Sequence, residues 1–271
     1  MGGAQSQWRV KGETRVLLIL GAFVLPLCCS SALQAQGGPP FYTTDPGTPG
    51  PNNWEINLAY MPFLYSGSST SHVPDVDINY GVGERIQLTY ESAWLRVKDG
   101  GNAPIYGMEQ SNPGFKWRFY DNEEKGFAIS IFPQGYLNNP NHAVQRGIAP
   151  PSDSFLMPME FTKKVGPVDV NWEVGYLAVH KGPAGWLGGL IVGHDLTKNW
   201  EIDAELYSLG TFNNSANQQT FDAGARYKIR PPFILLLMAG RSVVPARAGN
   251  GQPFFVGYFG MQILLPPKPF E

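Results

Sequence analysis

Residues 194–206 read HDLTKNWEIDAEL, a short polar turn followed by a strictly alternating segment. Every second residue of that segment is apolar and the residues between are acidic: Trp200, Ile202, Ala204 and Leu206 against Glu201, Asp203 and Glu205. A period of two places successive side chains on opposite faces of a β-strand. One apolar and one charged face predict a strand whose two sides meet very different surroundings.

The same alternation recurs along the chain. Five further segments show it, at 54–60, 85–91, 115–120, 168–174 and 221–228. Six segments with weaker alternation lie between or after these, at 73–80, 127–136, 155–163, 186–196, 233–243 and 254–264. The chain is therefore predicted to be all-β, with about twelve strands, an even number.

The connections between these strands alternate in length. The short turns GVGE, DNEEKG, KVGP, LTKN and IRPP separate connections that are mostly longer and rich in Gly, Asn, Pro and Ser. Transmembrane barrels have this pattern, with tight periplasmic turns and longer extracellular loops. We therefore predict a closed antiparallel transmembrane β-barrel. A secreted β-sandwich with the same alternation is the alternative.

The composition agrees with an apolar outer wall. The chain is 43% hydrophobic and only 15% charged, and no apolar run reaches the roughly 18 residues of a spanning helix. The formal net charge of −2 lacks the basic footprint of nucleic-acid binding, so no nucleic-acid partner is expected. Aromatic residues near strand ends fit two interfacial girdles: Trp54, Tyr60, Tyr90, Trp94, Trp172, Trp186, Trp200 and Tyr227.

The N-terminal residues read as a secretory signal peptide. Basic residues precede the apolar run VLLILGAFVLPL at 16–27, and small and polar residues follow it. Cleavage after Ala35 removes both cysteines; a lipoprotein signal using Cys28 or Cys29 is the alternative. We expect a signal peptide at 1–35, a Pro/Gly-rich lead-in at 36–53, and a barrel at 54–271 in a bacterial outer membrane.

The charged strand faces are expected to line the lumen. The predicted lining residues are Glu55, Asp75, Asp77, Arg85, Glu91, Lys116, Arg118, Asp169, Glu173, Glu201, Asp203, Glu205, Asp222, Arg226 and Lys228. Carboxylates two or four residues apart share a strand face, so they can be read as catalytic pairs or as a cation site. Ion pairing across the lumen is the simpler interpretation, because a lone charge there is poorly solvated. In a pore, such a lining sets the charge preference.

The lead-in contains GGPPFYTTDPGTPGPNN at 37–53, which is too rich in Pro and Gly for a helix or a central strand. Two interpretations stay open for it. Phe41, Tyr42 and Asp45 form a plug if the segment folds back into the lumen. Otherwise the segment is an extended periplasmic leader, as chain termini usually are.

Nothing in the sequence indicates catalytic or cofactor chemistry. No Gly-x-Ser-x-Gly motif is present, and the four histidines lack metal-ligand spacing. We therefore expect no enzyme activity, no metal and no cofactor. An enzyme on the outer rim, using His142 and Ser152 or Ser154, is a distant alternative.

Three stretches carry a resemblance to a known family: PPFYTTDPGTPGPNNWEINLAY at 39–60, DINYGVGERIQLTYE at 77–91 and PGFKWRFYDNEEKGFAISIFP at 113–133. They resemble the family named for the meta-pathway of phenol degradation. The resemblance implies an outer-membrane barrel, found near aromatic catabolism operons and often described as a transporter. It implies passage of small aromatic or other apolar compounds, and no catalytic residues.

We accordingly expect an outer-membrane channel for passive passage of small solutes, with apolar or aromatic compounds as the expected class. The alternative is a non-conducting structural or adhesion barrel whose lumen is sealed by ion pairs. The expected partners are outer-membrane lipid, small-molecule solutes and the barrel-assembly machinery.

Overall fold

The structure is a computed structural model, and it describes residues 37–213, 217–244 and 252–266. The predicted signal peptide and its lipoprotein alternative lie outside the described residues. Among the described residues, no helix has the length and apolarity to cross a membrane. The regular structure is entirely β, as predicted.

The described residues contain fourteen strand segments after the lead-in. They are β1 Trp54–Tyr65, β2 Ser68–Val82, β3 Ile86–Asp99, β4 Ile105–Met108, β5 Asn112–Asn122, β6 Phe127–Ile131, β7 Gln134–Tyr136, β8 Ser154–Val165, β9 Val168–Val179, β10 Gly185–Asp195, β11 Trp200–Thr211, β12 Gln218–Arg230, β13 Phe233–Val244 and β14 Phe255–Leu265. All their pairings are antiparallel, so the prediction of an antiparallel sheet is confirmed.

These segments make twelve barrel strands. Segments β4 and β5 both pair with β3, and β6 and β7 both pair with β8, so each couple is one interrupted strand. The ring closes because β1 pairs with β14 on one side and with β2 on the other, while β3 meets β5. The predicted closed twelve-stranded barrel is confirmed.

Two predicted connections are shorter than expected. Strand β2 begins at Ser68, so the first connection is a turn at residues 66–67 in which Gly67 adopts a φ of +87°. Strand β3 continues to Asp99 and β4 begins at Ile105, inside a stretch predicted as loop. Polar residues such as Ser68 and Asp99 therefore form strand where the sequence indicated connections.

The lead-in and the longest described connection lie at opposite ends of the barrel. Trp54 opens β1 at the end where the short turns 83–85, 123–126, 166–167, 196–199 and 231–232 lie, so the lead-in enters there. At the other end, residues 137–153 fold so that Ala143 and Ile148 pack on Ala93 and Leu95 of β3. Ala93 and Leu95 have the same strand parity as Glu91, which lines the lumen.

The outward wall is apolar and exposed. Side chains between 40% and 60% exposed cover it, among them Leu58, Leu88, Val174, Val192, Ile202, Leu206, Phe221 and Phe259. An exposed apolar surface of this extent marks contact with a membrane. The fold and this surface together make the chain an outer-membrane barrel in contact with lipid.

The inward wall has two different halves. Buried carboxylates come from β2, β8, β9, β11 and β12. On β13, β14 and the second half of β1 the buried inward residues are apolar, and Leu236, Met238, Val256 and Met61 belong to one buried cluster. The first half of β1 contributes the polar residues Glu55 and Asn57. We expected charge around the whole lumen, and the apolar side was missed because β13 is apolar on both faces and gives no phase.

Candidate lumen site

Arg226 on β12 binds the first residues of the lead-in to the barrel wall. Its guanidinium donates to Glu201 at 2.6 Å and to Asp203 at 3.2 Å, two acids of the neighbouring strand β11. It also donates to the backbone oxygens of Gly38 at 3.1 Å and Pro39 at 3.2 Å. One buried cation therefore joins two wall carboxylates to the lead-in.

Glu205 on β11 binds the lead-in backbone. The amide nitrogens of Tyr42 and Thr43 donate to its two carboxylate oxygens, at 3.1 Å and 2.5 Å. Hydrogen bonds of this kind to a charged acceptor are stronger than neutral ones. Glu205 thus fixes both the position and the direction of the lead-in inside the barrel.

Thr44 and Asp45 complete the polar contacts. The Thr44 hydroxyl lies against Glu160 of β8 and Glu173 of β9, at 3.1 Å from the latter. Lys116 of β5 donates to the Asp45 backbone oxygen and lies 3.3 Å from Glu160. The Asp45 carboxylate itself accepts from the amides of Gly37 and Gly47, which folds the lead-in into a compact loop.

Phe41 packs into the apolar half of the inner wall. It is 5% exposed and belongs to the buried cluster of Ile191, Leu236 and Met238. The Arg226 guanidinium lies 5.4 Å from its ring centroid. A sequence signal existed for this contact: apolar side chains on the lumen face of β13 need an apolar partner, and Phe41 is one.

Gly189 on β10 lets the lead-in approach the wall. A Cβ added at this residue would lie 1.9 Å from the Thr43 hydroxyl oxygen and 2.9 Å from its Cβ. Thr43 is fully buried at this contact. Any side chain at position 189 would therefore displace the lead-in, a role that the sequence did not reveal.

Most of the predicted lining residues lie inside the barrel. Those that contact the lead-in or line the lumen cavity are Glu55, Asp75, Asp77, Glu91, Lys116, Glu173, Glu205 and Arg226. Glu201 and Asp203 are buried against Arg226. Asp222 is fully buried beside Glu205, its cross-strand partner. The sequence reading omitted Glu160, which lies on a weakly alternating strand.

Four predicted lining residues lie at the short-turn end instead. Arg85 does not line the lumen, because it sits exposed in the turn after β2, one residue before β3 begins. Arg118 forms an ion pair with Asp121 at 3.2 Å and donates to the Glu84 backbone oxygen. Asp169 is paired with exposed Lys164, and Lys228 is half-buried near the end of β12. In the barrel interior, Lys116 forms an ion pair with Glu160, and Arg226 forms ion pairs with Glu201 and Asp203; these pairs join nearby strands of the wall.

A cavity of 270 Å³ remains beside the lead-in. Its polar lining includes Glu55, Asp75, Asp77 and Glu91 of β1, β2 and β3. Its aromatic lining comes from the lead-in and from several strands: Tyr42, Phe63, Phe132, Tyr136, Tyr207 and Tyr258. We refer to this space as the side cavity.

The geometry defines a closed barrel with an occupied lumen, and solved structures share the barrel fold. The chain superposes on the COG4313 outer membrane channel from Pseudomonas putida F1 with a TM-score of 0.65 at 11% identity, over 85% of this chain and 100% of that one. It superposes on the KdgM porin with a TM-score of 0.53 at 11% identity, over 79% and 99%. No family model and no curated sequence matches the chain.

Proposed function

We propose that the chain is an outer-membrane channel for passive passage of small solutes, with the lead-in as a plug that limits flux. The side cavity supports this most directly, because it runs beside the lead-in and leaves space along the β1–β3 wall. The similar solved structures include a channel and a porin, which also favours a channel over an enzyme.

The proposed solutes are small apolar or aromatic compounds. The aromatic lining of the side cavity supports this class, as does the resemblance of the three sequence stretches to the phenol-degradation family. Tyr42 of the lead-in stacks near Tyr207 of β11, with ring centroids 5.2 Å apart. An aromatic solute would compete for this contact. We further propose that the barrel-assembly machinery inserts the chain.

A sealed barrel is the second candidate, and a specific observation favours it. The lead-in makes backbone and side-chain contacts with β5, β8, β9, β11 and β12, so it is held at many points. Residues 137–153 also pack on the inner face at the other end. In this reading the barrel is structural or adhesive and conducts nothing.

Deletion of residues 38–51 tests both candidates. The barrel should still fold, because its wall pairs strand to strand, and folding is checked by different gel migration of boiled and unboiled samples. If the full chain is a channel plugged by the lead-in, the deletion variant should show a higher single-channel conductance than the full chain. Absence of conductance in both proteins would contradict the channel and favour the sealed barrel.

A further inference from the structure

Among the described residues, four pairs of carboxylates stand directly opposite each other on neighbouring strands; one pair joins the exposed Asp195 to Glu201, and the other three lie on the inner wall. These three are Asp77 and Glu91 on β2 and β3, Glu160 and Glu173 on β8 and β9, and Glu205 and Asp222 on β11 and β12. Like charges in this position repel, with Cβ atoms about 4.5–5.5 Å apart. We call these three couples the acid pairs. Each needs a donor or a cation to be stable.

The lead-in and the wall supply that donor for two of the three acid pairs. The Thr44 hydroxyl lies against both Glu160 and Glu173, and Lys116 lies 3.3 Å from Glu160. The backbone amides of Tyr42 and Thr43 donate to Glu205. Glu160, Glu173 and Glu205 thus have N–H or O–H donors, whereas Asp222 is fully buried and has no hydrogen-bond partner among the described residues.

The third acid pair faces the side cavity. Within the described ranges, neither Asp77 nor Glu91 forms an ion pair with a lysine, arginine or histidine. One oxygen of Asp77 accepts from Asn57 at 3.0 Å and Asn79 at 2.9 Å, while the other is buried and finds no partner among those residues. Asp77 is 8% exposed, so water reaches it poorly.

The aromatic lining is next to this pair, which has amide donors but forms no ion pair within the described ranges. Tyr258 of β14 is 5% exposed, lines the side cavity, and its hydroxyl has no partner in the described part of the chain. Tyr136 and Phe132 line the same space. Aromatic faces attract cations, and most strongly where water is excluded. The cavity therefore offers anionic oxygens beside aromatic faces and an unpaired hydroxyl. Lys116 and His72 also line it, but each already lies against a carboxylate, Glu160 and Asp75 respectively.

The geometry points to the side cavity as a binding site for a small organic ammonium cation. The charged nitrogen lies between Asp77 and Glu91 and donates to the free Asp77 oxygen. The apolar part lies against Tyr136 and Tyr258. The volume of 270 Å³ is just below the roughly 300–1,000 Å³ of drug-sized ligand sites, so the ligand is small. The ligand supplies the cation that Asp77 and Glu91 lack among the described residues.

Calorimetric titration of the full chain in detergent at pH 7 and constant salt tests this inference. The probes are benzylammonium, its neutral analogue benzyl alcohol, its anionic analogue benzoate, and ammonium without an apolar part. Benzylammonium should bind. The affinity of each of the other three probes should be lower by a factor of about ten or more. Equal affinity for benzyl alcohol would overturn the charge recognition, and equal affinity for ammonium would overturn the aromatic part.

Isosteric variants locate the site. Asp77→Asn and Glu91→Gln should each weaken benzylammonium binding by about tenfold. Asp99→Asn removes an exposed carboxylate from the far end of the same strand β3 and should leave the affinity unchanged. Folding of each variant is checked by heat-dependent gel migration, and Glu91→Gln stands alone if Asp77→Asn does not fold. Unchanged affinity in a folded Glu91→Gln variant contradicts the inference.

The organic ammonium cation is a solute class for the proposed channel. Its passage through the barrel rests on the proposed function, whereas its binding in the side cavity does not. Binding is measured without flux, so the two are separable. Benzylammonium that binds but does not cross vesicles containing the protein would contradict the channel and leave the binding site. Equal flux of benzylammonium and benzoate, with equal binding, would contradict the binding site alone.

Discussion

The two sides of the lumen carry the same chemical feature and use it differently. On the β8–β12 side, carboxylates meet donors of the lead-in: Glu160 and Glu173 meet the Thr44 hydroxyl, and Glu205 meets two backbone amides. On the β1–β3 side, Asp77 and Glu91 face the side cavity. Opposed carboxylates stabilise a bound segment where donors reach them, and elsewhere they create a demand for a cation.

The two groups of carboxylates are therefore expected to have different roles, one in stability and the other in binding. Removing a charge on the β8–β12 side should release the lead-in or destabilise the barrel. Removing one on the β1–β3 side should change what the cavity binds while leaving the wall intact.

Arg226→Met should destabilise the barrel most. The substitution leaves Glu201 and Asp203 buried without their cation and removes the donors to Gly38 and Pro39. Breaking a buried ion pair in this way costs about 3–5 kcal/mol. The measurement is the free energy of unfolding in guanidinium with lipid vesicles. Lys164→Met removes an ion pair whose lysine is half exposed, and should cost below about 1 kcal/mol.

Gly189→Ala should displace the lead-in while the barrel stays folded. The added methyl group would meet Thr43, and overpacking of this kind costs about 1–3 kcal/mol. The expected readout is faster proteolytic cleavage of the lead-in. Gly188→Ala is the matched control, because nothing lies nearer than 4.0 Å to a Cβ there. Thr43→Gly on the Gly189→Ala background should restore protection, and a failure to do so would contradict this contact.

Glu205→Gln should loosen the lead-in by a smaller amount. An amide oxygen still accepts from one backbone N–H, but the charge-assisted character of both bonds is lost, which costs about 1–2 kcal/mol. The barrel should keep its heat-dependent migration, and conductance should rise modestly. Unfolding of this variant would show that Glu205 supports the wall itself.

The alternation in the sequence predicted the wall well because it is local. Glu201, Asp203 and Glu205 face inward and Ile202 and Leu206 face outward, as a period of two requires. The prediction that Arg85 lines the lumen does not fit the structure, because Arg85 lies in a turn and the alternation of a strand does not extend into the turn beside it.

The contacts of the lead-in could not be predicted from local sequence patterns, because its partners are distant in the sequence. Thr43 and Glu205 are 162 positions apart, and no periodicity joins a non-repetitive Pro-rich segment to one face of one strand. Composition identified the segment, with Phe41, Tyr42 and Asp45, as a possible insert but left its partners open. The unphased strand β13 held the missing signal, since Leu236 and Met238 are apolar on the lumen side where Phe41 packs.

Asp77→Asn should have the smallest effect on stability, and of the opposite sign to Arg226→Met. It relieves the repulsion across the third acid pair, which is worth about 0.2–1 kcal/mol, while the oxygen that accepts from Asn57 and Asn79 has an equivalent in the amide. In ligand-free protein the free energy of unfolding should be unchanged or slightly higher. Asp99→Asn, exposed and outside the cavity, should leave it unchanged. A loss comparable to that of Arg226→Met would mean that the β1–β3 carboxylates are structural, and the two sides of the lumen would then be alike.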